Sequence, residues 1–165
     1  MDLRDLAGLA LTYPEVGATA TTLPAGYRYV RLAHQIGTGR DRFEQAAGSV
    51  MRYGMLRGAG VRVTATTEVA QVGTDVLGRL GPFTAPCRVV YVTDEPNRRG
   101  FAYGSLPGHA VSGEEMFGVR YDPADEGVYS EVVAFSRPAT WWSRLGTPVL
   151  SVAQRVVTAR YLNAV

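Results

Sequence analysis

The chain has 165 residues, and 46% of them are apolar, which is typical of one globular domain and too high for a long disordered region. Its 17 basic residues nearly balance 15 acidic ones without forming a basic block, so the charge gives no case for binding nucleic acid or an anionic membrane. The single cysteine, Cys87, excludes an intramolecular disulfide, and no apolar run reaches the about 20 residues of a membrane span. We therefore expect a soluble cytoplasmic protein, a monomer or homodimer, with no cofactor and no metal.

The first third of the chain predicts a short helix, a strand and a second helical segment. Residues 2–11 place leucines at helical spacing, and a loop-rich segment follows to about Leu23, so residues 1–23 are expected to pack on the domain as an N-terminal extension. The side chains of residues 26–37 alternate between two sides, as in a β-strand. Between Phe43 and Met51 apolar residues recur at helical intervals, and Gly48 and Gly54 are expected to divide this segment into one or two short helices.

From Val61 onward the apolar pattern has a period of two residues, as in half-buried antiparallel strands. Six strands are predicted, separated by turn-forming residues: 61–69, 75–80, 87–94, 100–106, 115–121 and 128–137. A final helix is predicted to begin at Pro138, and its broad apolar face must lie on the sheet. We expect an α+β fold in which a strongly curved antiparallel sheet of about seven strands wraps around a long C-terminal helix, with a small-molecule cavity between them.

Five motifs along the chain point to one family. They are LTYPEVGAT, LPAGYR, DEPNRRGFAYGSLPGH, GEEMF and AFSRPATWW, within a stretch from about Leu11 to Asn163. The chain resembles an uncharacterised bacterial and plant family, uncharacterised protein family zero-five-four-eight, which is a domain of unknown function. Its members look similar to the helix-grip superfamily of the birch-pollen allergen, START-like lipid-transfer domains and polyketide cyclases. The resemblance implies a strand, two short helices, six strands and a long C-terminal helix, but it implies no particular activity.

The stretch from Asp94 to Tyr121 concentrates the residues that could carry chemistry. His109 lies in a loop and has a side chain that titrates near neutral pH. Glu114 and Glu115 follow five and six positions later and could meet the histidine across a hairpin, as an acid–base pair requires. His109, Glu114 and Glu115 are therefore the catalytic candidates. The alternative is a solvated turn with a surface histidine and a charged strand start.

Five other residues are candidates for binding a ligand: Tyr13, Glu15, Tyr103, Arg137 and Trp142. The first two lie in a segment that could reach the cavity mouth, with a packed loop as the alternative. Arg137 could pair with a ligand carboxylate, and an ion pair at the sheet edge is its alternative. Trp142 could close the core or the cavity.

The other histidine, His34, alternates with apolar residues in the first predicted strand, which favours a buried structural role. Nothing in the spacing of the two histidines calls for a metal.

Three functions remain open at this point. The favoured one is binding of an apolar or amphipathic small molecule in the cavity. The second is a cyclase, isomerase or hydrolase-type enzyme that uses His109 with Glu114 or Glu115 in the same cavity. The third is a protein-interaction domain with a filled interior, and the fold alone does not choose among the three.

Overall fold

A seven-stranded antiparallel sheet organises the computed structural model, which describes residues 1–139. The strand order is β1-β7-β6-β5-β4-β3-β2, so β1 and β2 are the edge strands. The strands are β1 (Arg28–Thr38), β2 (Arg62–Ala65), β3 (Asp75–Leu80), β4 (Phe83–Glu95), β5 (Arg98–Ser105), β6 (Val111–Tyr121) and β7 (Gly127–Pro138). Two helices, α1 (Arg40–Met51) and α2 (Gly54–Gly58), lie between β1 and β2, and two single 3-10 turns, Leu3–Leu6 and Ala18–Ala20, precede the sheet.

The predicted sheet of seven antiparallel strands is confirmed, as are the two short helices after the first strand. The sheet is curved, and the pairing register shifts between Gln35 and Gly37 and between Val89 and Tyr91. The predicted long C-terminal helix falls in residues 140–165 and lies outside the described residues. At its expected start the structure differs from the prediction, because β7 continues to Pro138. Pro138 lies beyond the β1–β7 ladder, which ends at Ser136, so its missing N–H interrupts none of those hydrogen bonds.

Two other boundaries differ from the sequence pattern. The predicted N-terminal helix is reduced to the 3-10 turn Leu3–Leu6. The strand predicted over residues 61–69 ends at Ala65, because the next residue turns: the backbone N–H of Thr66 donates to the carbonyl of Asp75, and the Thr66 hydroxyl accepts the Asp75 N–H. His34 is exposed rather than buried, since it lies on the edge strand β1.

The two faces of the sheet are covered by different parts of the chain. The inner face, defined as the face that packs on α1, buries Phe101 and Phe117 against Phe43 and Val50. The outer face, on the opposite side, packs on the N-terminal residues, where Leu6 meets Leu77 and Leu106 in a second apolar cluster. Because side chains alternate along a strand, neighbouring residues of β5 and β6 point to different faces. No helix of residues 1–139 is long and apolar enough to cross a membrane.

Candidate functional site

Strands β5 and β6 and the loop between them bring three polar side chains to one end of the inner face. Tyr103 and Glu115 are directly opposite each other in the ladder, and the Tyr103 hydroxyl donates to Oε2 of Glu115 at 3.1 Å. In the loop, Nδ1 of His109 accepts the backbone N–H of Val111 at 3.1 Å. A neutral imidazole that accepts at Nδ1 carries its proton on Nε2, so His109 presents a donor from its other nitrogen.

Two adjoining hollows meet at these side chains. The larger, which we call the apolar pocket, has a volume of about 180 Å³. Its described lining is Leu56, Val61, Val76, Gly78, Leu80, Phe83, Thr84, Ala85, Tyr103, His109 and Ala110. The smaller, the polar recess, has a volume of about 40 Å³. Its described lining is Cys87, Tyr103, Ser105, His109, Val111, Gly113, Glu114, Glu115, Ala134, Phe135 and Ser136. Tyr103 and His109 line both, so they form the junction between an apolar space and a polar one.

Burial moves the pKa values of the titratable side chains of the polar recess away from their ordinary values. Burial raises the pKa of Glu115 to about 7, and the hydrogen bond from Tyr103 opposes the shift only in part. Burial lowers the pKa of His109 to about 4. The Cys87 thiol has a raised pKa because of burial and of the nearby Glu115 charge. At neutral pH the histidine is therefore uncharged, and the carboxyl group of Glu115 is the one that exchanges a proton.

Glu114, the neighbour of Glu115, directs its carboxylate to the outer face. The Tyr13 hydroxyl and the backbone N–H of Gly17 donate to Oε2, each at 2.7 Å, and both the backbone N–H and the hydroxyl of Thr19 donate to Oε1. Four donors from the N-terminal segment thus surround a buried carboxylate. We call this arrangement, formed by Tyr13, Gly17, Thr19 and Glu114, the outer clasp. The sequence grouped Glu114 with Glu115, but the structure separates their carboxylates onto opposite faces.

A glycine on β5 makes the outer clasp possible. Gly104 pairs with Glu114, and a Cβ added to Gly104 would lie 2.2 Å from the Tyr13 hydroxyl oxygen and 2.7–2.8 Å from two ring carbons. The Tyr13 ring therefore occupies the space that a side chain at position 104 would fill. The Tyr13 pKa is raised by burial first and by the hydrogen bond to Glu114 second. Tyr13 was predicted to bind a ligand; the structure places it in this outer-face contact.

Of the other predicted ligand residues, Tyr103 alone lies on the described lining of the two hollows. Glu15 accepts a hydrogen bond from the Tyr27 hydroxyl at 2.7 Å, and the Arg137 guanidinium lies 4.8 Å from the centre of the Tyr27 ring. These contacts are on the outer face, where Tyr27 also packs edge-on against Phe135. Trp142 lies outside the described residues. The structure thus brings Tyr103, His109 and Glu115 together and separates Tyr13, Glu15 and Arg137 from them.

Sequence comparison places this chain within a family. A family model described as a domain of unknown function (DUF1990) matches residues 12–164. The chain belongs to the DUF1990 family. Similar relatives carry the name UPF0548 protein: one from Deinococcus radiodurans is 48% identical over 68 residues, and one from Arabidopsis thaliana is 37% identical over 76 residues. These matches cover 41% and 42% of this chain, and 34% and 37% of the relatives, so the chain matches about a third of their length.

Solved structures with the same fold are more distant in sequence. A hypothetical protein from Helicobacter pylori aligns with a TM-score of 0.61 at 7% identity, covering 93% of this chain and 94% of that one. Norcoclaurine synthase from Thalictrum flavum, in complex with dopamine and hydroxybenzaldehyde, aligns with a TM-score of 0.54 at 12% identity, covering 94% of this chain and 93% of that one. At such identities the likeness is one of fold. It agrees with the resemblance to the helix-grip superfamily that the sequence motifs gave.

Proposed function

We propose that the protein binds a small, mostly apolar molecule on the inner face of the sheet and directs the polar group of that molecule at Tyr103, His109 and Glu115. The observation that carries this proposal is the junction of the two hollows, where an apolar pocket opens onto a recess with a carboxyl group, a hydroxyl group and an imidazole. Ligand sites combine these same features: a mainly apolar wall gives affinity, and a few polar groups fix the orientation.

The size of the apolar pocket limits the ligand. An engineered protein cavity of about 150 Å³ holds benzene, and the apolar pocket has about 180 Å³. The described walls therefore suit one ring or a short branched chain. The norcoclaurine synthase likeness supports the proposal in a general way, because that protein was solved with two single-ring molecules on a fold of the same kind.

Binding can be tested with 2-phenylethanol, a neutral one-ring probe with one polar group. Saturation-transfer NMR should show transfer from the wild-type protein to the ring protons. Ala85→Leu puts a larger side chain into the wall of the apolar pocket and should abolish the signal. Ala33→Leu, the same change at an exposed position of β1, should leave it intact. A probe that fails to bind, or that binds the Ala85→Leu variant equally well, would refute the proposal.

An acid–base enzyme is the second candidate, and the titration of Glu115 favours it. A partly buried carboxyl group with a pKa of about 7 is suited to accept and return a proton near neutral pH. In this proposal Glu115 removes a proton from the carbon next to a carbonyl group while Nε2–H of His109 holds the carbonyl oxygen. The Tyr103 hydroxyl keeps its hydrogen bond to Glu115. Glu114 is the less suitable partner because four donors already hold its carboxylate.

The enzyme proposal is tested by deuterium uptake. Phenylacetone incubated with the protein in D₂O should exchange its activated C–H protons faster than in buffer, with a rate that rises through pD values near 7. Glu115→Gln should remove the acceleration, while Glu95→Gln, at an exposed position, should retain it. Equal uptake with wild-type protein and with Glu115→Gln would exclude Glu115 as the base.

A further inference from the structure

We propose that the molecule held at this site is an amine, in which a small apolar body fills the apolar pocket and a protonated amino group pairs with Glu115 in the polar recess. This inference rests on the ligand-binding function proposed above and specifies the chemical class of the ligand. It depends on three features of the described residues: the sign of the charge around the recess, the small number of donors that they give to the Glu115 carboxylate, and the relative sizes of the two hollows.

The charge around the recess favours a cation. The charged side chains among the described lining of both hollows are Glu114 and Glu115. The Glu114 carboxylate is directed to the outer clasp, so the inner face receives the charge of Glu115. No arginine from residues 1–139 lines either hollow, and His109 is neutral because its pKa is lowered to about 4. An anionic ligand would meet a like charge here, whereas an ammonium group would meet its counterion.

Among the described residues, Glu115 has fewer hydrogen-bond donors than the neighbouring Glu114. A carboxylate offers about four acceptor sites. Glu114 uses them for four donors from the outer clasp. Within residues 1–139, Glu115 receives a hydrogen bond from Tyr103 at Oε2. An ammonium group brings three N–H donors, so it would complete the set that the fold provides for Glu114 and leaves incomplete for Glu115.

The relative size of the hollows fits the two ends of such a ligand. The recess, at about 40 Å³, has room for an amino group, since a water molecule needs only about 10–15 Å³ by the same kind of measure. The apolar pocket has room for one ring. Because Tyr103 and His109 line both hollows, the linker between amine and ring must be short. Phenethylamine, with a two-carbon linker, has this shape.

Three probes with the same ring and the same two-carbon linker separate charge from shape. They are phenethylamine, 2-phenylethanol and 3-phenylpropionate, each titrated into the full chain by calorimetry at pH 8. We expect the amine to bind about tenfold or more tightly than the alcohol, because an ion-paired hydrogen bond is stronger than a neutral one. The carboxylate should bind more weakly than the alcohol. Glu115→Gln should remove the preference, so that the amine and the alcohol bind with affinities within about twofold of each other. Glu95→Gln, at an exposed position, should retain the wild-type preference.

A pH series in the wild-type protein provides a measurement that does not depend on the variant. Affinity for phenethylamine should rise as the pH passes about 7, because the ammonium group binds the ionised form of Glu115. Within residues 1–139, the titratable groups that face Glu115 are Cys87 from β4, Tyr103 from β5 and His109 from the β5–β6 loop, while β7 presents Ala134. The pKa of His109 is about 4, and the pKa of the Cys87 thiol lies well above its ordinary value. Neither group therefore accounts for a change in affinity near pH 7. Affinity for 2-phenylethanol should not rise over this range.

The outcomes distinguish this inference from the function on which it rests. If 2-phenylethanol binds as tightly as phenethylamine, the amine inference is wrong and the binding function stands. If the amine preference persists in Glu115→Gln, or shows no rise near pH 7, Glu115 is not the counterion and the inference is again overturned. If none of the three probes binds, the binding function itself fails.

Discussion

At the scale of single residues, two adjacent glutamates have contrasting hydrogen-bond environments. Glu114 is buried with four hydrogen-bond donors around it, which is how proteins accommodate a buried charge. Glu115 has one described donor, Tyr103, and burial raises its pKa to about 7. A carboxyl group left in this condition destabilises the folded state whenever it ionises. Such a group is retained at a cost in stability, which is a common property of residues in functional sites.

The cost can be measured with Glu115→Gln. The ordinary pKa of 4.5 applies to the unfolded chain and about 7 to the folded one, so between these values the folded state holds a proton that the unfolded state has released. Stability from this group is therefore full below pH 4.5, falls as the pH rises to about 7, and stays low above it. The full difference corresponds to about 3–4 kcal/mol. Glu115→Gln, which cannot ionise, should be more stable than wild type at pH 8 by about this amount.

Urea unfolding of both proteins at pH 5 and pH 8 checks the prediction. The relevant quantity is the difference in unfolding free energy between variant and wild type, because His109 contributes with the opposite sign. Because the pKa of His109 is lowered, its contribution to the free energy of unfolding is lost as the pH falls from 6.5 towards 4. This loss is the same in wild type and variant, so it cancels in the difference. A difference that does not grow between pH 5 and pH 8 would show that the Glu115 carboxyl group is not buried as described.

At the scale of elements, the outer clasp ties an irregular N-terminal segment to a central strand. Residues Tyr13 to Thr19 include few backbone hydrogen bonds of regular structure, yet four of their donor groups share one carboxylate on β6. The Tyr13 ring also packs edge-on against Phe135 of β7, with ring centres 5.4 Å apart. The contacts join positions about 100 residues apart in the chain, so the segment is fixed by tertiary packing rather than by its own conformation.

Gly104→Ala tests whether this packing depends on the missing side chain. The added Cβ would overlap the Tyr13 ring, and relieving the overlap should destabilise the fold by about 2 kcal/mol. Gly78→Ala is the matched control, because Gly78 also lies in a strand. A Cβ added there would lie 3.2 Å from its nearest neighbour, a methyl group of Val61. It should change stability by less than about 1 kcal/mol. Thermal or urea unfolding gives both values.

A double variant makes the test specific to the ring. In a Tyr13→Ala background, Gly104→Ala should cause little further loss, since the atoms that it would overlap are gone and the two changes are not additive. Equal losses in both backgrounds would mean that position 104 is sensitive for a reason other than Tyr13.

At the scale of the whole molecule, the sequence predicted the architecture better than the site. Strands β3 to β7 were readable without coordinates because apolar runs rich in β-branched and aromatic residues are bounded there by turn-forming residues. The ladder pairing of Tyr103 with Glu115 depends on the β5–β6 register, which the loop at residues 106–110 sets and which the pattern alone does not give. Alternation already implied that Glu114 and Glu115 point to opposite faces. The return of the N-terminal segment to Glu114 could not be foreseen, because no local pattern encodes a contact between Tyr13 and β6.

The arrangement of the sheet predicts how protection from hydrogen exchange is distributed over the molecule. Strands β5, β6 and β7 have a partner on each side, whereas β1 pairs with β7 alone and leaves alternate N–H groups unpaired. Exchange measured by NMR should therefore be slowest in β5 and β6, and in β1 fast and slow amides should alternate.

The amides of Gly17 and Thr19 provide the decisive comparison, because they lie outside the sheet yet donate to Glu114. We expect both to be protected in the wild type far more than the amides of the exposed turn residues Asp125 and Glu126. Glu114→Gln offers one acceptor oxygen and an amide group that cannot accept, so four donors lose part of their bonding. In that variant the Gly17 and Thr19 amides should exchange much faster, while β5 amides stay protected because the sheet holds them.

Fast exchange at Gly17 and Thr19 in the wild type would mean that the outer clasp is not formed in solution. A loss of protection in β5 of the variant would mean that Glu114 supports the sheet as a whole rather than the N-terminal segment.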